Sequence, residues 1–235
     1  MALFLRDRTS NANNLTNNGA AEITGDAPFA GGGGTVASLV AAESDYLATP
    51  DSTSLSITGD ITIELWIKRA STGSFMTMVG KWSQAAGQKS YRVAFLADNT
   101  IRFNTTDDGT NDAINTNSTG TVTSTSDWVH IAVAFNATTR VTRFYINASL
   151  DTTSGAGSTG AIFDGTNELA IGRSGDGTGT QFDGRMQDIR VWNTVRSGAQ
   201  ISASYQARLI GTESGLQAYY NFDETAGGAA LFGLM

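Results

Sequence analysis

The chain has 235 residues, with 15 Lys and Arg against 22 Asp and Glu, a formal net charge of -7 and no cysteine. That charge argues against a surface that holds nucleic acid by counterion release, and the three lysines, Lys68, Lys81 and Lys89, form no basic stripe. No run approaches the ~20 apolar residues of a membrane-spanning helix, and without cysteine there is neither a disulfide nor a thiolate metal site.

Charged residues are only 16% of the chain, so its polarity comes from Thr, Ser, Asn and Gly, which favour turns and strand surfaces over helices. Met1 to Arg8 places an apolar run before Arg6 and Arg8, the reverse of a secretion signal, and no export signal is read there. Gly31–Gly34 reads as an exposed loop. Ile61, Ile63, Leu65 and Ile67 then alternate with Thr62, Glu64, Trp66 and Lys68, the pattern of a half-buried strand.

Strands are also predicted over 75–81, 91–97, 100–105, 128–136, 141–147, 168–172, 186–192 and 216–222. Turn signals such as Ala97-Asp98-Asn99, Asp108-Gly109 and Asp164-Gly165 separate them, which indicates an all-β sandwich or barrel. The segments 154–160 and 174–180 are too rich in Gly, Ser and Thr to pack a core. Phe182, Gly184 and Met186 share one parity and Ile189 and Val191 the other, so a β-bulge near Gln187-Asp188 is needed to keep them on one face. Ser197 and Gln200 can form a capping box, with Ile201 and Tyr205 on one face, predicting one short helix near residues 197–206.

Several of these segments, in this order, resemble the laminin G-like members of the concanavalin A-like lectin and glucanase superfamily. The resemblance is carried by 7–20, by Asp45-Tyr46-Leu47-Ala48-Thr49-Pro50-Asp51, and by 61–68, Trp128-Val129-His130-Ile131-Ala132, 182–193 and 215–224. It implies a two-sheet antiparallel jelly-roll sandwich spanning 1–235 as a single domain, with 225–235 as a C-terminal tail and the first and last segments adjacent. Many relatives bind calcium. Fold alone does not assign the activity.

Catalysis is disfavoured by residue type. Glu occurs only at 22, 43, 64, 168, 213 and 224, so no strand carries the spaced carboxylates of a glucanase cleft. Asp107, Asp108 and Asp112 sit among turn residues. The single histidine, His130, alternates with Val129, Ile131 and Val133 as a structural strand residue would. Calcium needs only oxygen ligands, and Asp7, Asn11 and Asn13 could supply them together with Asp223, or could instead cap their own backbone in Asx-turns. Asp183 beside the Asp176 loop is a weaker alternative.

For a sugar, Trp82 is the candidate stacking ring, with Gln84 and Tyr91 near it in sequence, against the competing reading that the indole packs at the sandwich edge. Trp66, Trp128 and Trp192 lie within predicted strands and read as packing residues. The leading expectation is a non-catalytic component of a phage virion, a capsid or tail decoration protein. It would be oligomeric or repeated, and anchored by the apolar ends at Leu3, Phe4, Leu5, Leu231, Phe232 and Leu234. The alternative is a carbohydrate-binding, lectin-like module at a virion or extracellular surface. A glycoside hydrolase is a more distant third.

Overall fold

The structure, a computed structural model, describes residues 4–19, 21–28, 35–85, 87–155, 160–175 and 180–222. One sheet runs in spatial order β1 (Phe4–Leu5), β2 (Leu15–Asn18), β5 (Tyr46–Thr49), β14 (Leu169–Ile171), β7 (Met76–Trp82), β8 (Lys89–Phe95), β9 (Thr100–Thr106), β10 (Asp112–Thr121). The other runs β13 (Ser149–Gly155), β12 (Val141–Ile146), β11 (Val129–Asn136), β6 (Ile61–Arg69), β15 (Gly184–Trp192), β4 (Thr35–Leu39), β3 (Glu22–Gly25), with β16 (Leu216–Tyr220) pairing farther along β15. Every pairing is antiparallel. The expected two-sheet jelly-roll sandwich is therefore present. No helix among the described residues is long and apolar enough to cross a membrane.

Alternation builds the core. Ile61, Ile63, Leu65 and Ile67 of β6 and Ile131, Val133 and Phe135 of β11 meet Val79, Val93, Phe95 and Phe103 of the opposite sheet in one buried cluster. The predicted bulge occurs as well. Gln187 pairs with Trp66 but Arg190 with Glu64, so β15 carries one extra residue there, and Asp188 takes a positive φ of 56°. Met186, Ile189 and Val191 thereby all face inward.

The structure corrects the half-buried reading of β6, whose second face is also covered. Residues 193–215 cross the outer face of the second sheet as a strap. Thr62 Oγ1 donates to the Thr194 carbonyl at 2.7 Å and Trp66 Nε1 to the Tyr205 carbonyl at 2.8 Å. Within the strap, α1 (Gly198–Ser204) starts at the predicted capping box, with both reciprocal bonds between Ser197 and Gln200 formed, and Ile201 packs against Ala132, Ala134 and Tyr145.

The sequence reading missed the five strands before residue 61, and two later ones, β10 and β13, that are polar edges. β10 and β13 meet where the sheets close on each other, and Asp151 accepts the Thr119 and Gly120 backbone N–H groups at 2.9 Å each. The carboxylate thus occupies donors on a strand that has only one ladder neighbour.

The first and last segments are adjacent, as the resemblance implied, and Asp7, after β1, joins the opening segment to β16. It is buried; Oδ1 accepts from Thr9 N and Tyr219 N, and Oδ2 from Thr9 Oγ1 and Asn13 N. Beside it, Arg8 N donates to the Tyr219 carbonyl. Leu5 pairs with Leu15 and lies inside the main core, so it is a packing residue and not an exposed partner contact. Replacing Asp7 by Ala leaves buried N–H groups of two chain segments unsatisfied. We expect Asp7→Ala to lose about 2–4 kcal/mol of unfolding free energy, read from the denaturant midpoint.

Candidate functional site

The strap leaves one end of the second sheet's outer face uncovered, and a cleft of about 410 Å³ opens there. Its walls come from the end of β4 (Ser38, Leu39, Val40), the end of β6 (Lys68, Arg69, Ala70), the start of β15 (Gly184, Arg185), Asp183, and Thr125 ahead of β11. The ladder register sets the order, with Arg185 opposite both Lys68 and Ser38, and Val129 opposite Ile67, which brings Trp128 to the side of Lys68. Gly184 is obligatory, since a Cβ there would lie 2.3 Å from the Lys68 carbonyl. Asp183 closes the corner with its carbonyl, which accepts the Ala70 N–H at 2.9 Å.

Asp26, just after β3, holds the row together. Its Oδ2 lies 3.1 Å from Lys68 Nζ and also pairs with Arg185 Nη1. Partial burial pushes its carboxyl up, but hydrogen bonds from Lys68 and Arg185 and the adjoining Trp128 indole outweigh this and hold it below the usual carboxylate range. The indole Nε1 approaches without reaching hydrogen-bond geometry and has no other acceptor. Of the four tryptophans, Trp66, Trp82 and Trp192 are buried and Trp128 alone is partly exposed. A partly exposed indole next to the Asp26 carboxylate, which itself pairs with Lys68 and Arg185 of the cleft, offers an apolar surface near fixed donors and an acceptor.

The sugar site expected around Trp82 is not formed. Trp82 is 1% exposed, with the Arg92 guanidinium 4.4 Å and Lys89 Nζ 5.7 Å from its ring, and Tyr91 is 0% exposed with its hydroxyl bonded to the Leu55 carbonyl. Of that trio only Gln84 is exposed. Cations stacked on the indole occupy the face that a sugar would need, so packing is the reading that holds.

Of the expected calcium ligands, Asp7 and Asn13 are engaged by protein groups. Besides the four bonds on Asp7, Asn11 Nδ2 donates to the Gln217 carbonyl, and Asn13 Oδ1 accepts from Ser52 and Ser54 while its Nδ2 donates to Ser54 and Gln217. Asp223, Asp176, Leu3, Leu231, Phe232 and Leu234 lie outside the described residues, as does the Phe4 side chain. Asp108 accepts from Thr110 N and Asn111 N in an exposed turn, and Asp112 accepts from Asn104 Nδ2.

His130 is sealed beneath the strap, between Trp66 and Tyr205, with Nε2 3.7 Å from Glu64 Oε2. Burial, reinforced by Arg190, pushes its pKa down to about 3. Glu64 lies in the same cluster, 3.2 Å from Arg196 Nε and 3.6 Å from Arg190 Nη1, and burial raises its carboxyl despite both arginines. Neither group reaches solvent, so they serve as packing and not as an acid–base pair.

Trp128, expected as a packing residue within a strand, lies just ahead of β11 and is partly exposed, and the row it makes with Lys68, Arg185 and Asp26 was missed because its members are scattered in sequence and assembled by register. The one available signal was Lys68, which shares parity with Trp66 at the polar end of β6.

The family described as the Concanavalin A-like lectin/glucanases superfamily, laminin G type, matches residues 41–202. Among solved structures, a candidate carbohydrate binding protein from Bacteroides ovatus is similar at a TM-score of 0.60 and 19% identity, over 76% of this chain and 49% of that one. The binding domain of Paraclostridial Mosquitocidal Protein 1 is similar at 0.64 and 15%, over 86% and 51%. The binding domain of Botulinum Neurotoxin DC, in complex with SialylT, is similar at 0.61 and 11%, over 83% and 46%. The chain thus spans about half the length of these structures, and at such identities the likeness is one of fold. No curated protein matches.

The His130 environment fixes a pH dependence. Its folded pKa lies below the ordinary histidine value of 6.5, so the unfolded chain binds the extra proton and stability falls as pH drops from about 6.5 toward about 3. Glu64 and Asp188, both raised by burial, act with the opposite sign, stabilising below their unfolded values and losing that contribution as pH rises through their folded ones. A His130→Phe variant removes only the histidine part. We expect its unfolding free energy to fall less steeply than wild type between pH 6 and pH 4, by up to about 1.4 kcal/mol per pH unit. Urea titrations across that range provide the check.

Proposed function

The chain belongs to the Concanavalin A-like lectin/glucanases superfamily, and from that membership we propose that it is a non-catalytic binding module whose ligand is a carbohydrate held at the cleft of Trp128, Lys68, Arg185 and Asp26. The observation that carries this reading is the exposure of Trp128, the one indole of four that the sandwich does not bury. A sugar ring laid on it would lie beside the Asp26 acceptor and its Lys68 and Arg185 partners, the latter two also lining the cleft. Two solved structures of similar fold support the ligand class, being described as carbohydrate binding and as bound to SialylT. The sealing of His130 and Glu64 supports the absence of catalysis. Binding proceeds without calcium, because the Asp7 loop spends its oxygens on backbone N–H groups.

Display on a phage virion is the second reading, favoured by the hydroxyl- and amide-rich edge strands Asp112–Thr121 and Ser149–Gly155. The two readings are compatible, since a decoration protein at an outer surface could carry a glycan site. Finding the protein in repeated copies on purified particles would support it.

A broad glycan array, run with calcium and with chelator, tests the first reading. We expect binding that is indifferent to calcium and at least about tenfold weaker in Trp128→Ala and in Lys68→Ala, with unchanged melting for the Lys68 variant. Trp82→Ala should instead lower the melting temperature, as a buried ring does. No bound glycan on such an array would sink the proposal.

A further inference from the structure

We infer that the carbohydrate taken at the Trp128 cleft carries an acidic substituent, a carboxylate or a sulfate ester, and that Arg69 receives it. This rests on the reading of the cleft as a glycan site and adds the charge of the ligand to it. Arg69 ends β6 and lines the cleft, yet it is only 1% exposed. A guanidinium has five N–H donors. Nη1 donates to Asn99 Oδ1 at 3.0 Å and to the Val122 carbonyl at 2.6 Å, whereas Nε and Nη2 are buried without a partner.

Those two nitrogens form one edge of the guanidinium, which can hold two oxygens of a carboxylate or of a tetrahedral oxyanion at once. No carboxylate among the described residues pairs with Arg69, and burial alone pushes its pKa down. The face of Phe95, 4.2 Å from Cζ, supports the cation without neutralising it. A buried charge without a counter-charge is strongly unfavourable, so folding stability does not account for Arg69. Its surroundings favour an anion as well. Gly184, its ladder partner, places no side chain beside it. Lys68, Arg69 and Arg185 line the cleft against Asp183, and Asp26 pairs with Lys68 and Arg185, so positive charge is in excess at this corner of a chain whose net charge is -7. Asp183 is turned to the Ala41 N–H, which its Oδ1 accepts at 3.5 Å.

Paired glycans separate this inference from the cleft reading itself. On an array that sets uronate-bearing and sulfated glycans against their neutral parents, the full chain should bind at least one acidic class about tenfold tighter than the parent. Arg69→Met should bind the acidic and neutral forms alike. Equal binding of acidic and neutral forms by wild type would overturn the inference and leave the cleft reading standing.

If no glycan binds, the cleft reading fails, and inorganic sulfate decides whether Arg69 takes an oxyanion. At constant ionic strength made up with chloride, sulfate at roughly ten times its Kd should raise the wild-type Tm by about 3–5 °C and leave Arg69→Met unmoved. No shift, or equal shifts in the two proteins, refutes the oxyanion site. If Arg69→Met does not fold, Arg69→Lys, which keeps the charge but loses the two-nitrogen edge, takes its place in both assays. It should lose most of the acidic preference and of the sulfate shift, and full retention of both refutes the role of Arg69.

Discussion

The burial of Glu64 is the constraint around which the second sheet is arranged. It sits in the middle of β6, at 0% exposure, on the face away from the sandwich core. A carboxylate there must be matched by charge from its neighbours. Arg190 supplies one partner from the adjacent strand, but Arg196 must be carried in on the strap. The strap's path follows from that need, with Thr62, Trp66 and Ile201 fixing it on either side of the ion pairs. Removing one partner of such a pair costs about 3–5 kcal/mol, more than most single packing contacts.

The same cover decides where a ligand can bind. The strap bonds at Thr62 and Trp66, and Tyr205 stacks over Trp66 beside His130, so the next position on that face, Lys68, is left open with Arg185 and Trp128. The bulge at Asp188 contributes here too. It lets β15 keep Met186 and Ile189 inward while Arg185 and Arg190 both project outward, one to the cleft and the other to Glu64.

Local patterns were therefore legible and assembled ones were not. The period-two runs, the Ser197 capping box and the parity break before Ile189 each state a local requirement that the chain meets in place. Trp82 misled because a tryptophan followed by polar residues looks the same in sequence whether it faces a sugar or two cations. Its stacking on Arg92 and Lys89 depends on strand register. β10 and β13 were missed because edge strands rich in Thr, Ser and Asn lack the apolar half of the alternation. The candidate site joins residues from β4, β6 and β15 with the segments just before β11 and after β3, so no window of sequence contains it.

Energetics separate the two clusters of charge. Lys68, Asp26 and Arg185 are all partly exposed, with side chains 26%, 30% and 39% accessible. Ion pairs so open to water contribute little to folding, so stability does not account for three charges converging beside a half-open indole. Lys81 is the converse. Its amine is withdrawn from water completely, and removing either carboxylate would leave a buried charge short of a partner. The first arrangement is cheap to disturb and open to water; the second is costly to disturb, its ammonium wholly withdrawn from water. On the proposal made for the cleft, recognition falls to the Trp128 row, whereas the buried Lys81 pairs give structural support, although both are built from one or two cations around aspartate.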